Sequence, residues 1–107
     1  MIAIDTNILV RYITQDDLRQ AEAAEKLLAS YNSKPQSIFI NNIVLCEFVW
    51  VLEKGYNYSQ QQISSAIRMI LYTEEFAFER HNILWLALED YKLRNTDFSD
   101  SLISKLN

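Results

Sequence analysis

The chain has 107 residues, half of them hydrophobic, and a formal net charge of −4 from 10 Lys and Arg against 14 Asp and Glu. That is enough chain for one domain with one core, and a single Gly and a single Pro exclude collagen-like and linker-rich classes and disfavour turn-dense all-β folds. One Cys and one His exclude an internal disulfide and a Cys/His zinc site within a monomer, and the acidic balance excludes binding nucleic acid by bulk positive charge.

Ile2-Ala3-Ile4 is short, apolar and closed by Asp5, the pattern of a strand buried on both faces. The N-terminus carries no basic region before this run, so it does not read as a signal peptide. No stretch approaches the ~18 apolar residues of a membrane-crossing helix, so the expected location is cytoplasmic, with no membrane partner. From Thr6 the spacing turns helical, with Ile8, Leu9, Tyr12 and Ile13 three and four apart. Asp16-Asp17 precede a second helix, Leu18 to Tyr31, whose stripe is Ala21, Ala24, Leu27 and Leu28.

Asn32 to Ser37, with Pro35, reads as a loop, and Ile38-Phe39-Ile40 as a second strand. Asn41 or Asn42 caps a helix running to about Lys54, with Gly55 as its stop. Ser59-Gln60-Gln61-Gln62 is a capping box, opening a helix with Ile63, Ala66, Ile67, Ile70 and Leu71 inward. Phe76 to Glu79 alternates as a third strand. Ile83 to Arg94 is helical, with Leu84, Leu88 and Tyr91 on one face, and Asp97-Phe98-Ser99-Asp100 opens a last helix carrying Leu102, Ile103 and Leu106. Strands alternating with helices indicate an α/β domain with a parallel sheet. Ligands of such sheets bind beyond the carboxyl ends of the strands, where Asp5 sits.

Asp5 has two equal readings from position: a helix cap for Thr6 onward, or a carboxylate placed to meet a cation. Glu47 has Ile43, Val44, Trp50 and Val51 as its neighbours at three and four residues. A carboxylate centred in such a face must be paired or metal-bound, unless the face is an edge and the Glu reaches solvent. Asp97 and Asp100 face the same way in one first turn; capping suits Asp97 and leaves Asp100 without that explanation. Asp5, Glu47 and Asp100 come from three elements at one end of a parallel sheet. An all-oxygen set without Cys or His suits Mg²⁺ or Mn²⁺, ions that serve phosphodiester chemistry. Other constellations fail. His81 has no nucleophile pattern around it, Cys46 reads as a small core residue, and one Gly cannot build a phosphate loop.

The stretches Met1-Ile2-Ala3-Ile4-Asp5-Thr6-Asn7-Ile8-Leu9-Val10-Arg11, Ile43 to Leu52 around Glu47, and Asp97-Phe98-Ser99-Asp100-Ser101-Leu102-Ile103 occur in the order and spacing of three motifs. Together they resemble the PIN-domain family, in particular the VapC-like toxins of toxin–antitoxin modules, over essentially the whole chain. The resemblance implies a single PIN-like three-layer domain over 1–107, a short parallel sheet flanked by helices. It implies a metal-dependent endoribonuclease in which Asp5, Glu47 and Asp100 hold Mg²⁺ or Mn²⁺, with Asp97 alongside. Thr6 and Asn7 would support these acids by hydrogen bonds. It also implies an RNA substrate, a cognate antitoxin protein and a homodimer. Arg11, one turn beyond Asn7, is the candidate phosphate contact.

In the family a further strand with a fourth acid follows the third motif, whereas here the expectation is that the last strand or strands are missing and that the first strand is left on an edge. A second reading is therefore a PIN remnant impaired in catalysis, acting as an antitoxin-binding or self-associating module. A third is a plain α/β interaction domain in which Glu47 is solvent-exposed and the acids are scattered.

Overall fold

A computed structural model describes residues 2–15, 18–30, 34–94 and 96–107. Its elements run β1 (Ile2–Ala3), α1 (Thr6–Thr14), α2 (Leu18–Ser30), β2 (Ile38–Ile40), α3 (Asn42–Lys54), α4 (Gln60–Tyr72), β3 (Phe76–Phe78), α5 (His81–Leu93) and α6 (Phe98–Leu106). The expected Asp16-Asp17 pair, Tyr31, the start of the Asn32–Ser37 loop and the side chains of Ala21, Leu27 and Leu28 lie outside what is described; Ala24 of that stripe is buried.

The three strands form one parallel sheet in the order β1-β2-β3, with Ile2 beside Ile38 and Ile38 beside Phe76. The α/β class with a short parallel sheet flanked by helices is therefore as expected. Each parallel crossover is filled by a helix pair, α1–α2 and then α3–α4. Only the central strand has both neighbours, and its Ile38 and Ile40 are buried. Among the described residues β1 pairs on one side only, and Ala3 is exposed. A strand buried on both faces is thus the wrong description of β1, because an edge strand gives up part of its cover.

The helices follow their apolar spacing. In α4 the inward side chains are Ile63, Ala66, Ile67, Ile70 and Leu71, all buried, and the Ser59–Gln62 capping box forms in both directions. In α5 Leu84, Leu88 and Tyr91 are buried on one face. α3 presents Leu45, Phe48, Val49 and Leu52 to the core, centred on the fully buried Phe48, and packs between α1 on one side and α6 on the other. Asn41 is the α3 cap, its Oδ1 accepting from the Val44 N–H at 2.8 Å.

Gly55 does end α3, but with a right-handed φ of −89°. The stop does not rest on a left-handed glycine: a Cβ at Gly55 would lie 2.9 Å from the Val51 carbonyl oxygen, and the left-handed turn residue is Asn57, at φ 54°. α6 buries Phe98 and Leu102, while Ile103 and Leu106 are exposed.

Candidate active site

Parallel strands put all their carboxyl ends on one side, so the residues that leave β1, β2 and β3 are neighbours there. Asp5 leaves β1. It is the N-cap of α1, with Oδ1 accepting from the Ile8 N–H at 2.9 Å, and its side chain is exposed. The capping reading of Asp5 is therefore realised, through one of its two oxygens. Asn41 and Asn42 leave β2. Glu79 leaves β3, and its Oε1 accepts from the Asn42 N–H at 2.7 Å. The first turn of α3 is thus held from two sides, by Asn41 and by Glu79. Glu79 is an acid at a strand end, as Asp5 is, and the same logic applied to β3 would have found it. The Asn42 Oδ1 atom is buried without a hydrogen-bond partner.

Glu47 lies one turn further along α3 and is exposed. Its neighbours Ile43 and Trp50 are 70% and 63% exposed, whereas Val44 and Val51 are half-buried against the core, so Glu47 stands at the outer edge of its apolar surroundings. The carboxylate is not buried, and the structure realises the solvent-reaching reading of Glu47. Cys46, one residue before it, faces α6. Burial pushes the Cys46 thiol up; a hydrogen bond with Ser99 pulls it down, and the Asp97 charge adds to the rise. The second and third motifs therefore meet, with the start of α6 against the middle of α3.

Asp97 occupies the N-cap position of α6 but makes no capping bond, so its carboxylate is not spent on the helix. It also lies near Tyr91. Burial pushes the Tyr91 phenol up to about 12, with the Glu53 and Asp97 charges adding to the rise. Asp100 is exposed in the first turn of α6, where the helix dipole favours an anion. Neither Thr6 nor Asn7 makes a side-chain hydrogen bond to these acids among the described residues. Arg11 is exposed one turn beyond Asn7.

The acids present oxygen donors alone, which fits a hard divalent cation. Their placement fits less well: among the described residues no three His, Cys, Asp or Glu side chains converge closely enough to hold a metal ion. Glu47, Asp97 and Asp100 carry no ion pair there. No helix among the described residues is long and apolar enough to cross a membrane.

Comparison with known proteins bears on this arrangement. A family model described as PIN domain matches residues 2–106. The VapC ribonuclease of Aquifex aeolicus (strain VF5) is 27% identical over 104 residues, covering 97% of this chain and 76% of that protein.

Proposed function

The chain belongs to the PIN-domain family, and from that membership we propose that it is an endoribonuclease of the VapC toxin type, hydrolysing RNA phosphodiester bonds with the help of Mg²⁺ or Mn²⁺. The observation that carries the reading is the meeting of α3 and α6, where the uncapped Asp97 carboxylate lies beside Cys46, the chain neighbour of Glu47. Asp5, Glu47 and Asp100 are assigned to the cation, with Asp97 alongside. A bound cation would supply charge against the phosphate and activate the attacking water.

The residues divide the remaining work. Asp5 is oriented by its bond to the Ile8 N–H, which fixes one oxygen and leaves the other for the site. Asn41 and Glu79 hold the first turn of α3 and so set where Glu47 stands. Thr6 and Asn7, which make no side-chain hydrogen bond to Asp5 here, are assigned to support it once a cation draws the acids together, and Arg11 is assigned to a substrate phosphate. A protein of net charge −4 needs such local cations and a bound metal ion to approach RNA. The same reading assigns a cognate antitoxin, a homodimeric state and a cytoplasmic setting.

The test is cleavage of a mixed RNA pool with Mn²⁺ and with chelator, alongside Asp5→Asn. Metal-dependent cutting lost in the variant supports the assignment; cutting that survives the variant overturns it. A second reading, a catalytically impaired PIN remnant that binds an antitoxin or a second copy, is favoured by the lack of a converged metal-holding group among the described residues. A folded sample that does not cut under either condition would establish that reading instead.

A further inference from the structure

Away from the strand ends, α4 and α5 run antiparallel and leave a groove between them. At one end the Gln60 Nε2 donates to the Tyr91 carbonyl at 2.5 Å and to the Arg94 carbonyl at 3.1 Å; at the other the His81 Nε2 bonds the Leu71 carbonyl at 3.0 Å. Ser64, Arg68 and Tyr72 recur every four residues along the α4 side, and Trp85, Leu88 and Lys92 line up on the α5 side.

We propose that this groove is a binding track for a single RNA strand, seating a phosphate at Ser64, Arg68 and Lys92 and a neighbouring base on Tyr72 and Trp85. The inference rests on the ribonuclease reading and adds a substrate surface remote from the acids.

Three observations carry it. The first is a cavity of about 340 Å³ whose lining includes Ser64, Arg68, Leu88 and Lys92. Ser64 is only 8% exposed, and its Oγ is buried with no hydrogen-bond partner. Buried hydroxyls are normally satisfied, and this one belongs to a residue that lines the cavity. The second is charge. In an acidic protein, Arg68 and Lys92 reach this cavity from facing helices, and neither forms an ion pair among the described residues. Two cations and an unspent hydroxyl are the donor set of a phosphate site.

The third is the aromatic ladder that continues from the cavity. The Arg68 guanidinium sits 5.7 Å from the Tyr72 ring centroid, and Tyr72, 67% exposed, meets Trp85 edge-on at 4.9 Å. Trp85 leads to His81 at 6.4 Å, and His81 stacks on Phe78 at 5.2 Å. Phe78 ends β3 and adjoins Glu79, which holds the start of α3, so the ladder leads from the cavity toward the acids. Cations interleaved with exposed rings are how sequence-tolerant single-strand sites are built. A protein-docking core would be depleted in Lys, and here Lys92 lines the cavity.

The experiment is fluorescence anisotropy of a labelled short single-stranded RNA, with chelator present so that nothing is cut. The proteins are wild type, Arg68→Glu, Lys92→Glu and Tyr72→Ala, with Lys26→Glu on α2 as a control cation. Circular dichroism verifies that each is folded. The groove variants are expected to bind about tenfold more weakly, and each charge reversal to flatten the dependence of log Kd on log salt by about one unit. Trp85 emission, read in a Trp50→Phe background, is expected to be quenched by the RNA. Groove variants that bind as wild type does overturn the track and leave the ribonuclease reading standing. A wild-type protein that binds RNA in the groove but does not cut it with Mn²⁺ overturns the ribonuclease reading alone. Inorganic phosphate that binds at Arg68 and Lys92 without any RNA binding overturns the strand track in favour of a free-phosphate site, and competition by a protein partner in place of RNA overturns it in favour of a protein interface.

Discussion

Asp5 serves two purposes at once. One carboxylate oxygen accepts the Ile8 N–H and starts α1; the assigned cation takes the other. The two uses separate by substitution, because Asn caps a helix about as well as Asp does, while Ala at such a position costs about 1 kcal/mol. Asp5→Asn is therefore expected to abolish cutting with a melting temperature within a degree or two of wild type, and Asp5→Ala to lower both. If Asp5→Asn melts as low as Asp5→Ala, the cap is not what holds α1. Tyr91 permits a second test. Its phenol is pushed up to about 12 by burial and by the Glu53 and Asp97 charges, whereas an unfolded tyrosine titrates near 10. A raised folded value means that the unfolded chain loses its proton first, so stability falls as pH rises from about 10 toward 12. One of the six tyrosines should titrate late at 295 nm and only as the fold opens. Six normal titrations would place Tyr91 outside the core.

At the scale of elements, legibility followed the sharpness of the pattern. α4 carries a strict 3.6-residue stripe behind a capping box, and both were readable because its first turns are polar outside the stripe, although Met69 and Tyr72 are exposed further on. Ser59→Ala removes the side-chain half of that box; it is expected to cost about 1 kcal/mol, or roughly 4–8 °C in Tm for a domain of this size. Differential scanning calorimetry against wild type measures it, and an unchanged Tm would mean that the α4 start is held by packing alone. α3 was harder to read. From Ile43 to Leu52 it is apolar nearly all round, so periodicity names a helix without naming its buried face. Leu45, Phe48, Val49 and Leu52 go inward, and Ile43 and Trp50 stay out on either side of Glu47. The exposure of Glu47 was accordingly one of two open readings. At Gly55 a Cβ would crowd the Val51 carbonyl, so glycine suits the end of α3 for a reason that no residue pattern states.

At the scale of the whole molecule, the order of strands does what no single element can. Residues 5, 41 and 79 lie far apart in the chain, yet parallel pairing in the order β1-β2-β3 brings their strands' carboxyl ends to one side. The family's motifs named Asp5, Glu47, Asp97 and Asp100, while the bond of Glu79 to Asn42 and the contact of Cys46 with Ser99 are visible only in the folded chain, because both are tertiary. The acids stand at one end of the sheet without converging, and nothing among the described residues pairs with Glu47, Asp97 or Asp100. A cation binding the folded state alone adds RT ln(1 + [L]/Kd), about 1.4 kcal/mol at ten times Kd. Millimolar Mg²⁺ or Mn²⁺ is therefore expected to raise the melting temperature by several degrees, and Glu47→Gln or Asp100→Asn to reduce the rise. The exposed acids do not converge without an ion, so the rise should be accompanied by a change in Trp50 emission one turn from Glu47. A melting curve that ignores both ions would mean that the acids remain apart, leaving the catalytically impaired remnant as the better account of this chain.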